Sequence, residues 1–574
     1  MKELTYLYVR NNMLGSETEI SNSMNIDMDS LSAIAEVDTS SGNIDSYIFT
    51  ANNPKLYSID LSNNENLIWC NYLADCKNIS YLDLSNCNNL NGNAIISLRT
   101  TINRIGQNAK IPSKYSLSIL DENTTKIDIT NLEIEKSIFE SLGQYKNVKS
   151  FNMKNAKILE GGIEITGDKL NELINEVLSN YTKITHIGLE GITTLKDISF
   201  VKNMNNLLGM DLRNTSVSTT DETIGLQLLN DYAPNIKVLL VSDSTIDLSK
   251  IQECINKLDA GAGNNDIFGD VEYGFICYNN NVLKTLEKCT EITQFTSCYQ
   301  GTGAFNSKMD LDLTACKKLK EINLKHITFG IVKLPESIEI IEHTVNGNSK
   351  IDASNCTNLT SIEYSYNNNF EFLLNTIQGN QSLSSITAAA NNVEILLNNI
   401  DKLTECTNLK TVKLTQVNWD QTNILINNID DIKKLSNLEE LSLNMITIGD
   451  NDFSSIGDLQ NLTNLTITNT NLKDISFLEN LQKLQEADLS NNQITNGIIG
   501  LSNLTNLESL NLSNNAIFDM SSKDGVNYRN LEILGNLNYA NSGNLNQLYL
   551  AGNTNITDWS YVSKYTWPNG KSGF

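Results

Sequence analysis

Residues 472–517 read LKDISFLENLQKLQEADLSNNQITNGIIGLSNLTNLESLNLSNNAI and contain one short unit twice. The repeated positions lie 23 residues apart, because Leu484, Ala487, Leu489 and Asn492 correspond to Leu507, Leu510, Leu512 and Asn515. Their spacing is LxxLxLxxN. The central LxL segment predicts a short strand whose apolar side chains point inward, and the ninth residue predicts a turn in which the Asn side chain bonds neighbouring backbone.

The same spacing recurs along the chain and is typical of leucine-rich repeats. From residue 383 onward, units open at Leu383, Leu409, Leu438, Leu462, Leu484, Leu507 and Leu545. Between 168 and 181, apolar residues fall on one helical face behind Asp168, a predicted N-cap. We therefore predict an α/β leucine-rich-repeat solenoid, a curved horseshoe or arc with a parallel concave sheet and a convex side of short α and 3-10 helices.

Such repeats fold only when they are stacked. One repeat buries roughly six apolar side chains, each worth about 1.5 to 3 kcal/mol. Ordering its backbone costs about 1 to 2 kcal/mol for each of some 23 residues. Neighbouring repeats must therefore cover both flat sides of every unit, and about twenty of them would form a long, stiff surface.

Composition and charge limit the possible partners. The chain has 574 residues, a formal net charge of -25 and a pI near 4.6, so a phosphate backbone would be repelled and nucleic acid is disfavoured. No run of 18 apolar residues occurs, so membrane insertion is not expected. We expect a monomer that binds a protein or a glycan.

The ten cysteines do not form an obvious disulfide framework. Five of them stand three residues before the first apolar residue of a strand motif, where other repeats carry Leu: Cys76, Cys289, Cys316, Cys356 and Cys406. These positions favour small buried thiols over disulfide or metal roles, and no CxxC pair occurs. Cys87 takes the place of the turn Asn. The cysteines therefore do not indicate whether the protein resides in a reducing or an oxidising compartment.

Two repeat types resemble those of known bacterial surface proteins. The segments LSNLTNLESLNLSNN and LKDISFL are similar to internalin repeats, and CTNLTSI with LPESIEIIE resembles the BspA-like repeats of other bacterial surface antigens. The resemblance implies secretion, attachment to the cell envelope and adhesion through the concave face. Because a strand motif follows Met1 directly and the tail WPNGKSGF has no cap, we expect the natural polypeptide to begin upstream, with any secretion signal there.

The domain organisation follows the regularity of the repeats. We predict irregular repeats at 1–258, an atypical insertion at 259–305, BspA-like repeats at 306–382, regular internalin-like repeats at 383–567 and a tail at 568–574.

Candidate binding residues lie on the concave face, where the third, fifth and seventh residues of each motif point outward. The fifth residue is an Asp in six motifs, and Asp60 and Asp83 would lie about 5 Å apart on adjacent strands. This stripe suits a cationic partner or Ca²⁺, but we favour a solvated polar face. Because aromatic residues and Arg often anchor interfaces, the selected residues are Tyr8, Arg10, Asp60, Tyr81, Asp83, Asp211, Arg213 and Asp488.

Catalysis, metal binding and cofactors are not expected. His186, His326 and His343 fall in different repeats, where we expect surface or strand-edge positions, and no HExxH, GxSxG or P-loop motif occurs. Asp450 and Asp452 match half of a calcium loop but lack its Gly and distal Glu, so we interpret them as a turn.

Two functions fit these patterns. The first is a non-catalytic adhesion or ligand-binding module of a bacterial cell-surface protein. The alternative is an intracellular interaction scaffold, because no signal is present and the cysteines have no evident pairing. A third hypothesis is that the chain is a repeat region that serves an attached enzyme domain.

Overall fold

The computed structural model describes two compact units. It describes residues 6–8 and 57–567, except for gaps at 66, 68–69, 71–72, 75, 91, 244, 259–273, 298–304, 326, 344–347, 367, 417–422, 428 and 539–542. Unit 1 is Met1–Leu286 with Cys298–Thr302, and unit 2 is Glu287–Ser297 with Gly303–Phe574. None of the helices in the described ranges is long and apolar enough to cross a membrane.

Unit 1 alternates short strands with short helices. Its strands are β1 (Tyr6–Tyr8), β2 (Ser58–Asp60), β3 (Tyr81–Asp83), β4 (Ala109–Lys110), β5 (Lys126–Asp128), β6 (Glu133–Glu135), β7 (Ser150–Asn152), β8 (Lys157–Glu160), β9 (Ile163–Glu164), β10 (His186–Gly188), β11 (Gly209–Leu212), β12 (Val238–Val241) and β13 (Gly274–Ile276). Its helices are α1 (Gly92–Ser97), α2 (Arg99–Ile105), α3 (Lys136–Leu142), α4 (Gly167–Leu178), α5 (Leu228–Tyr232), α6 (Gln252–Ile255) and α7 (Asn280–Lys284). The 3-10 helices are Gly106–Asn108, Ser113–Ile119, Ser199–Asn203, Leu248–Lys250 and Thr285–Lys288, the last spanning the unit boundary in the sequence.

The strands of unit 1 pair mainly in parallel. One sheet runs β1-β2-β3-β4, and a second runs β5-β7-β10-β11-β12-β13. A small third sheet, β6-β8-β9, ends in an antiparallel strand. The predicted adjacency is confirmed, because Asp60 and Asp83 are register partners on β2 and β3.

Unit 2 continues the strand and turn pattern with fewer α-helices. Its strands are β14 (Gln294–Ser297), β15 (Phe305–Asn306), β16 (Leu311–Asp312), β17 (Glu321–Leu324), β18 (Ile327–Thr328), β19 (Ile331–Lys333), β20 (Ile340–His343), β21 (Lys350–Asp352), β22 (Ser361–Ser365), β23 (Ser385–Ala389), β24 (Thr411–Thr415), β25 (Ile424–Ile426), β26 (Glu440–Asn444), β27 (Ile446–Ile448), β28 (Asn464–Thr468), β29 (Glu486–Asp488), β30 (Ser509–Asn511), β31 (Met520–Lys523), β32 (Val526–Arg529) and β33 (Gln547–Tyr549). Its helices are α8 (Phe370–Thr376), α9 (Asn392–Leu397), α10 (Asn530–Asn536) and α11 (Ser560–Ser563), and its 3-10 helices are Ile400–Leu403, Asp430–Lys434, Ser454–Asp458, Ser476–Asn480 and Ile498–Asn503.

The main sheet of unit 2 is parallel throughout, in the order β14-β17-β20-β22-β23-β24-β26-β28-β29-β30-β33. Its register follows the repeat, because Ala487, Leu510 and Leu548 are successive partners at the fourth motif position. Smaller parallel sheets are β15-β18, β16-β19-β21 and β25-β27, while β31 and β32 form an antiparallel hairpin. The predicted fold class is confirmed: each unit is a stack of leucine-rich repeats.

The core consists of the inward residues of successive strands together with one face of each convex helix. Helix α4 buries five apolar residues, Leu170, Leu173, Ile174, Val177 and Leu178. The helix begins two residues earlier than predicted, with Thr166 at the N-cap, so Asp168 lies in its first turn. There Asp168 pairs with Lys196 at 2.7 Å, and a carboxylate in the first turn also suits the helix dipole.

The described cysteines are buried, as their positions predicted. Cys87 occupies the ninth position of its repeat and donates its thiol to the Leu61 carbonyl at 3.0 Å. Burial raises the pKa of the Cys254 and Cys277 thiols to about 12. These thiols pack as small hydrophobes.

Candidate ligand-binding face

The ninth-position Asn fixes the end of each strand. Asn492 donates its side-chain amide to the carbonyls of Ile467 and Leu489, at 2.6 and 2.9 Å. Asn515 repeats the pattern one repeat later, donating to Leu489 and Leu512, each at 3.0 Å. One amide thereby holds two successive repeats together, which keeps the neighbouring strands in a constant register.

The eighth position requires a left-handed backbone. It is held by Asn63, Asn86, Asn131, Asn155, Asn214, Asn469, Asn491 and Asn514, each with φ between 52° and 61°. Asn tolerates this region better than other non-glycine residues. Several of these side chains also bond along the stack, as Asn86 does to Asn63 at 2.8 Å. The LxxLxLxxN motif gave no indication of this row of eighth-position Asn side chains that bond from one repeat to the next.

The acidic fifth position forms a local turn with the backbone. The Asp60 carboxylate accepts from the Ser62 amide at 3.0 Å, and Asp83 accepts from Ser85 at 2.9 Å. The same bond, to the amide two residues ahead, is made by Asp128, Asp211, Asp312 and Asp488. Such an Asx turn ends a strand locally, so the recurrence of Asp at the fifth motif position has a structural cause.

The expectation that these carboxylates face solvent is wrong for three of them. The exposed fraction is 0% for Asp60, 6% for Asp83 and 3% for Asp211. The turn bond alone does not bury them, because Asp312 makes the same bond and is exposed. The physical reason for Asp83 and Asp211 is their charged and aromatic neighbours, since Tyr81 and Lys110 contact Asp83 and Arg213 contacts Asp211. Asp488, by contrast, is half-buried. As ligand contacts, all four remain predictions.

The other selected residues are placed as follows. Tyr81 donates its hydroxyl to Asp83 at 3.1 Å, and Lys110 lies 3.5 Å from the same carboxylate. Arg213 is held between Asp211 and Glu190, with 2.9 Å to the latter. Tyr8 belongs to β1, but its side chain, like Arg10 as a whole, lies outside the described residues. Arg213 therefore has its charge matched within the repeat stack.

We use the term non-core face for the side of each main sheet formed by the third and fifth motif positions. In unit 1 this face is buried at Ser150, His186, Val238, Leu240 and Ile276. Burial also lowers the pKa of His186 to about 4. The expected surface position is therefore wrong for His186. His326 and the side chain of His343 lie outside the described residues.

In unit 2 the non-core face is more open and polar at β23 to β28, whereas Thr296 and Asn323 at the fifth positions of β14 and β17 are buried. Its fifth positions on β23, β24, β26 and β28 are Thr387, Lys413, Ser442 and Thr466, each half-buried. Side chains bond across the strands, as Lys413 does to Glu440 at 2.9 Å and Asn464 to Glu486 at 3.0 Å. The result is a pre-ordered surface of hydroxyl, amide and paired charged groups.

Features of a catalytic or metal centre are sparse in the described part of the chain. It contains no group of three or more His, Cys, Asp or Glu side chains arranged to hold a metal ion. Asp450 and Asp452 form a turn in which the Asp450 carboxylate accepts from the Asp452 amide at 3.1 Å. An open polar cavity of about 820 Å³ in unit 1 is lined by Thr220, Asp221, Glu222, Thr223, Gln227, Asn230, Asp231 and Lys250.

Comparison with known proteins gives likenesses among solved structures. An internalin (InlF) from Listeria monocytogenes is 18% identical, with a TM-score of 0.27, and the match covers 84% of this chain and 94% of that one. A leucine-rich-repeat protein from Leptospira interrogans is 16% identical, with a TM-score of 0.32 and coverage of 78% and 88%. A TLR13–ssRNA13 complex is 12% identical, with a TM-score of 0.35 and coverage of 76% and 62%.

No protein-family model and no curated protein sequence matches the chain. Internalins and another bacterial leucine-rich-repeat protein are thus among the structures that this chain resembles, in keeping with the resemblance of its repeats. The assignment of the fold rests on the strand register of the chain itself. The BspA-like resemblance of 306–382 and the predicted domain limits remain predictions.

Proposed function

We propose that the chain is a non-catalytic protein-binding or adhesion module of a bacterial cell-surface protein and that it binds through the non-core face of unit 2. The observation that carries the proposal is the contrast between the units. The non-core face is buried at five named positions in unit 1, whereas the fifth positions of β23, β24, β26 and β28 in unit 2 are half-buried. A protein or glycan ligand can therefore reach the non-core face of unit 2.

The physical basis is pre-organisation. The parallel strands fix the spacing of Thr387, Lys413 and Ser442 through consecutive register partners. Side chains that are already ordered lose less conformational entropy on binding, so a polar surface gains affinity without a deep pocket. Nucleic acid is not proposed as the ligand because the net charge is -25.

The alternative is an intracellular interaction scaffold. It is favoured by six buried thiols, since Cys70, Cys87, Cys254, Cys277, Cys356 and Cys406 are free in the structure. Reduced thiols are usual in the cytosol, where disulfides are rare. Both proposals use the same non-core face, and they differ in where the ligand is found.

Protease shaving of intact source cells separates the two. We expect peptides of this chain to be released from intact cells and identified by mass spectrometry, with a cytosolic enzyme as the lysis control. Peptides that appear only after lysis would refute the surface location and favour the intracellular scaffold.

A further inference from the structure

Cysteine recurs at one position of the repeats in unit 2, five residues before the first residue of a strand of the main sheet. The cysteines at this position are Cys289 before β14, Cys316 before β17, Cys356 before β22 and Cys406 before β24. The intervening strands β20 and β23 are preceded there by Pro335 and Asn380. In the order of the sheet, Cys289 and Cys316 therefore belong to neighbouring strands, whereas Cys356 and Cys406 are two strands apart.

The repeats of β14 and β17 stay side by side as far back as these two cysteines. The two strands pair in parallel, and each cysteine precedes its strand by the same number of residues. Two residues after each cysteine, the Lys318 ammonium pairs with the Glu291 carboxylate. The backbone of Cys289 also forms a hydrogen bond with the Cys316 sulfur. The Cys316 side chain is thus already directed at its neighbour in the stack.

This arrangement suits a disulfide. Corresponding residues on neighbouring strands are about 4.8 Å apart, within the Cα separation of about 4.4 to 6.8 Å that a disulfide spans. Residues two strands apart, such as Cys356 and Cys406, are separated by about 10 Å and cannot be bridged without backbone movement. Cys289 and Cys316 both lie within unit 2 and are buried, so the bridge would form inside one repeat stack.

We propose that Cys289 and Cys316 form a disulfide when the chain folds in an oxidising compartment. One cysteine, as the thiolate, attacks a low-molecular-weight disulfide such as oxidised glutathione, and a glutathione thiolate leaves. The second cysteine then loses its proton and attacks the protein sulfur of the mixed disulfide, which forms the Sγ–Sγ bond and releases the second glutathione thiolate. Two protein thiols are oxidised, and one glutathione disulfide is reduced to two thiols.

Folding is the stage at which the oxidant has access. Burial raises the pKa of the Cys316 thiol to about 11, although the hydrogen bond from the Cys289 backbone lowers it. A buried thiol of high pKa reacts slowly, so the bond would form before the repeats close. It would then join β14 to β17 and close the segment 290–315, which contains β15 and β16. Closing such a segment stabilises the fold by constraining the unfolded chain.

The test is refolding of the full chain from urea in a mixture of oxidised and reduced glutathione. The remaining thiols are then alkylated, and tryptic peptides are identified by mass spectrometry without reduction. We expect a cross-link between the peptides 289–308 and 309–317. The first peptide also contains Cys298, which lies outside the described residues. Cys298→Ala should therefore keep the cross-link, and Cys289→Ala should abolish it.

Cys356 and Cys406 are the internal control and should be recovered in alkylated form. A second readout is hydrogen exchange, because the backbone amides of β14 and β17 should exchange about tenfold or more slowly in the oxidised than in the reduced wild type. Cys289→Ala should show no such difference between oxidising and reducing buffer.

Four results would overturn the proposal. They are absence of the cross-link, its persistence in Cys289→Ala, an equal yield of a bridge between Cys356 and Cys406, and equal or faster exchange in the oxidised chain. The third would show random pairing of thiols, and the fourth would show a bridge that does not fit the native geometry. None of these results bears on whether the non-core face of unit 2 binds a ligand.

Discussion

Asp60 and Asp83 are direct register partners on neighbouring parallel strands, and both carboxylates are buried. Each carboxylate accepts from the backbone amide two residues ahead, and Lys110 lies 3.5 Å from Asp83. The acidic stripe, which the sequence predicted to be a solvated polar face, therefore has a structural role at the ends of the strands. The turn bonds and the nearby Lys110 explain how the fold tolerates two buried carboxylates on adjacent strands.

Removing one of these carboxylates should weaken the turn. Asp83→Ala leaves the Ser85 amide and the Tyr81 hydroxyl without their acceptor, so we expect local stability to fall by about 1 to 3 kcal/mol. Asp83→Asn keeps an acceptor oxygen and should cost less. Native-state hydrogen exchange of the backbone amides of residues 81–90 measures the local opening free energy. Equal protection in wild type and Asp83→Ala would contradict the structural role.

The ninth-position Asn should matter more than its neighbour at the eighth. Asn515→Ala deprives the Leu489 and Leu512 carbonyls and the Ile494 amide of a partner. We expect a loss of about 3 kcal/mol in the free energy of unfolding, measured by urea denaturation. Asn514→Gly is the control, since its φ of 54° suits glycine, and it should change stability by less than about 1 kcal/mol. Similar losses for both variants would contradict this account.

Acid should destabilise unit 1 through His186. Burial lowers the folded-state pKa of His186 from 6.5 to about 4. Between these values the unfolded state binds a proton that the folded state does not, so stability is lost as pH falls from about 6.5 towards about 4. The full effect is about 3 kcal/mol, at 1.36 kcal/mol per pKa unit.

The measurement for His186 is the difference between wild type and His186→Gln in urea denaturation across this pH range. Taking the difference cancels the contribution of titrating groups that both proteins share, such as Asp211, whose pKa is raised by burial. Parallel pH profiles for the two proteins would show that His186 ionises as easily in the folded chain as in the unfolded one.

The buried thiols should resist alkylation. Because burial raises the pKa of Cys254 and Cys277 to about 12, neither is a thiolate at about pH 8. We expect iodoacetamide to leave both unmodified in the native protein and to label both in urea, as read by peptide mass spectrometry. Rapid labelling of the native protein would indicate that these repeats open readily.

The periodic part of the fold was predictable from sequence, and the accessibility of the site was not. The motif at Leu507, Leu510 and Leu512 places the strand and its register, because inward apolar residues and a turn Asn are local properties. The burial of Asp60, His186 and Leu240 cannot be predicted from the motif, because the same motif positions are exposed in other repeats, as at Asp312 and Glu486.

The most direct test of ligand binding through unit 2 is site-specific photo-crosslinking on intact cells. A benzophenone amino acid would replace Ser442, on the non-core face of β26, or Ser454, on the 3-10 helix Ser454–Asp458. The account predicts a cell-surface adduct from position 442 that excess unlabelled chain abolishes, and none from position 454. A competed adduct from position 454 alone, or equal adducts from both positions, would contradict binding through this face.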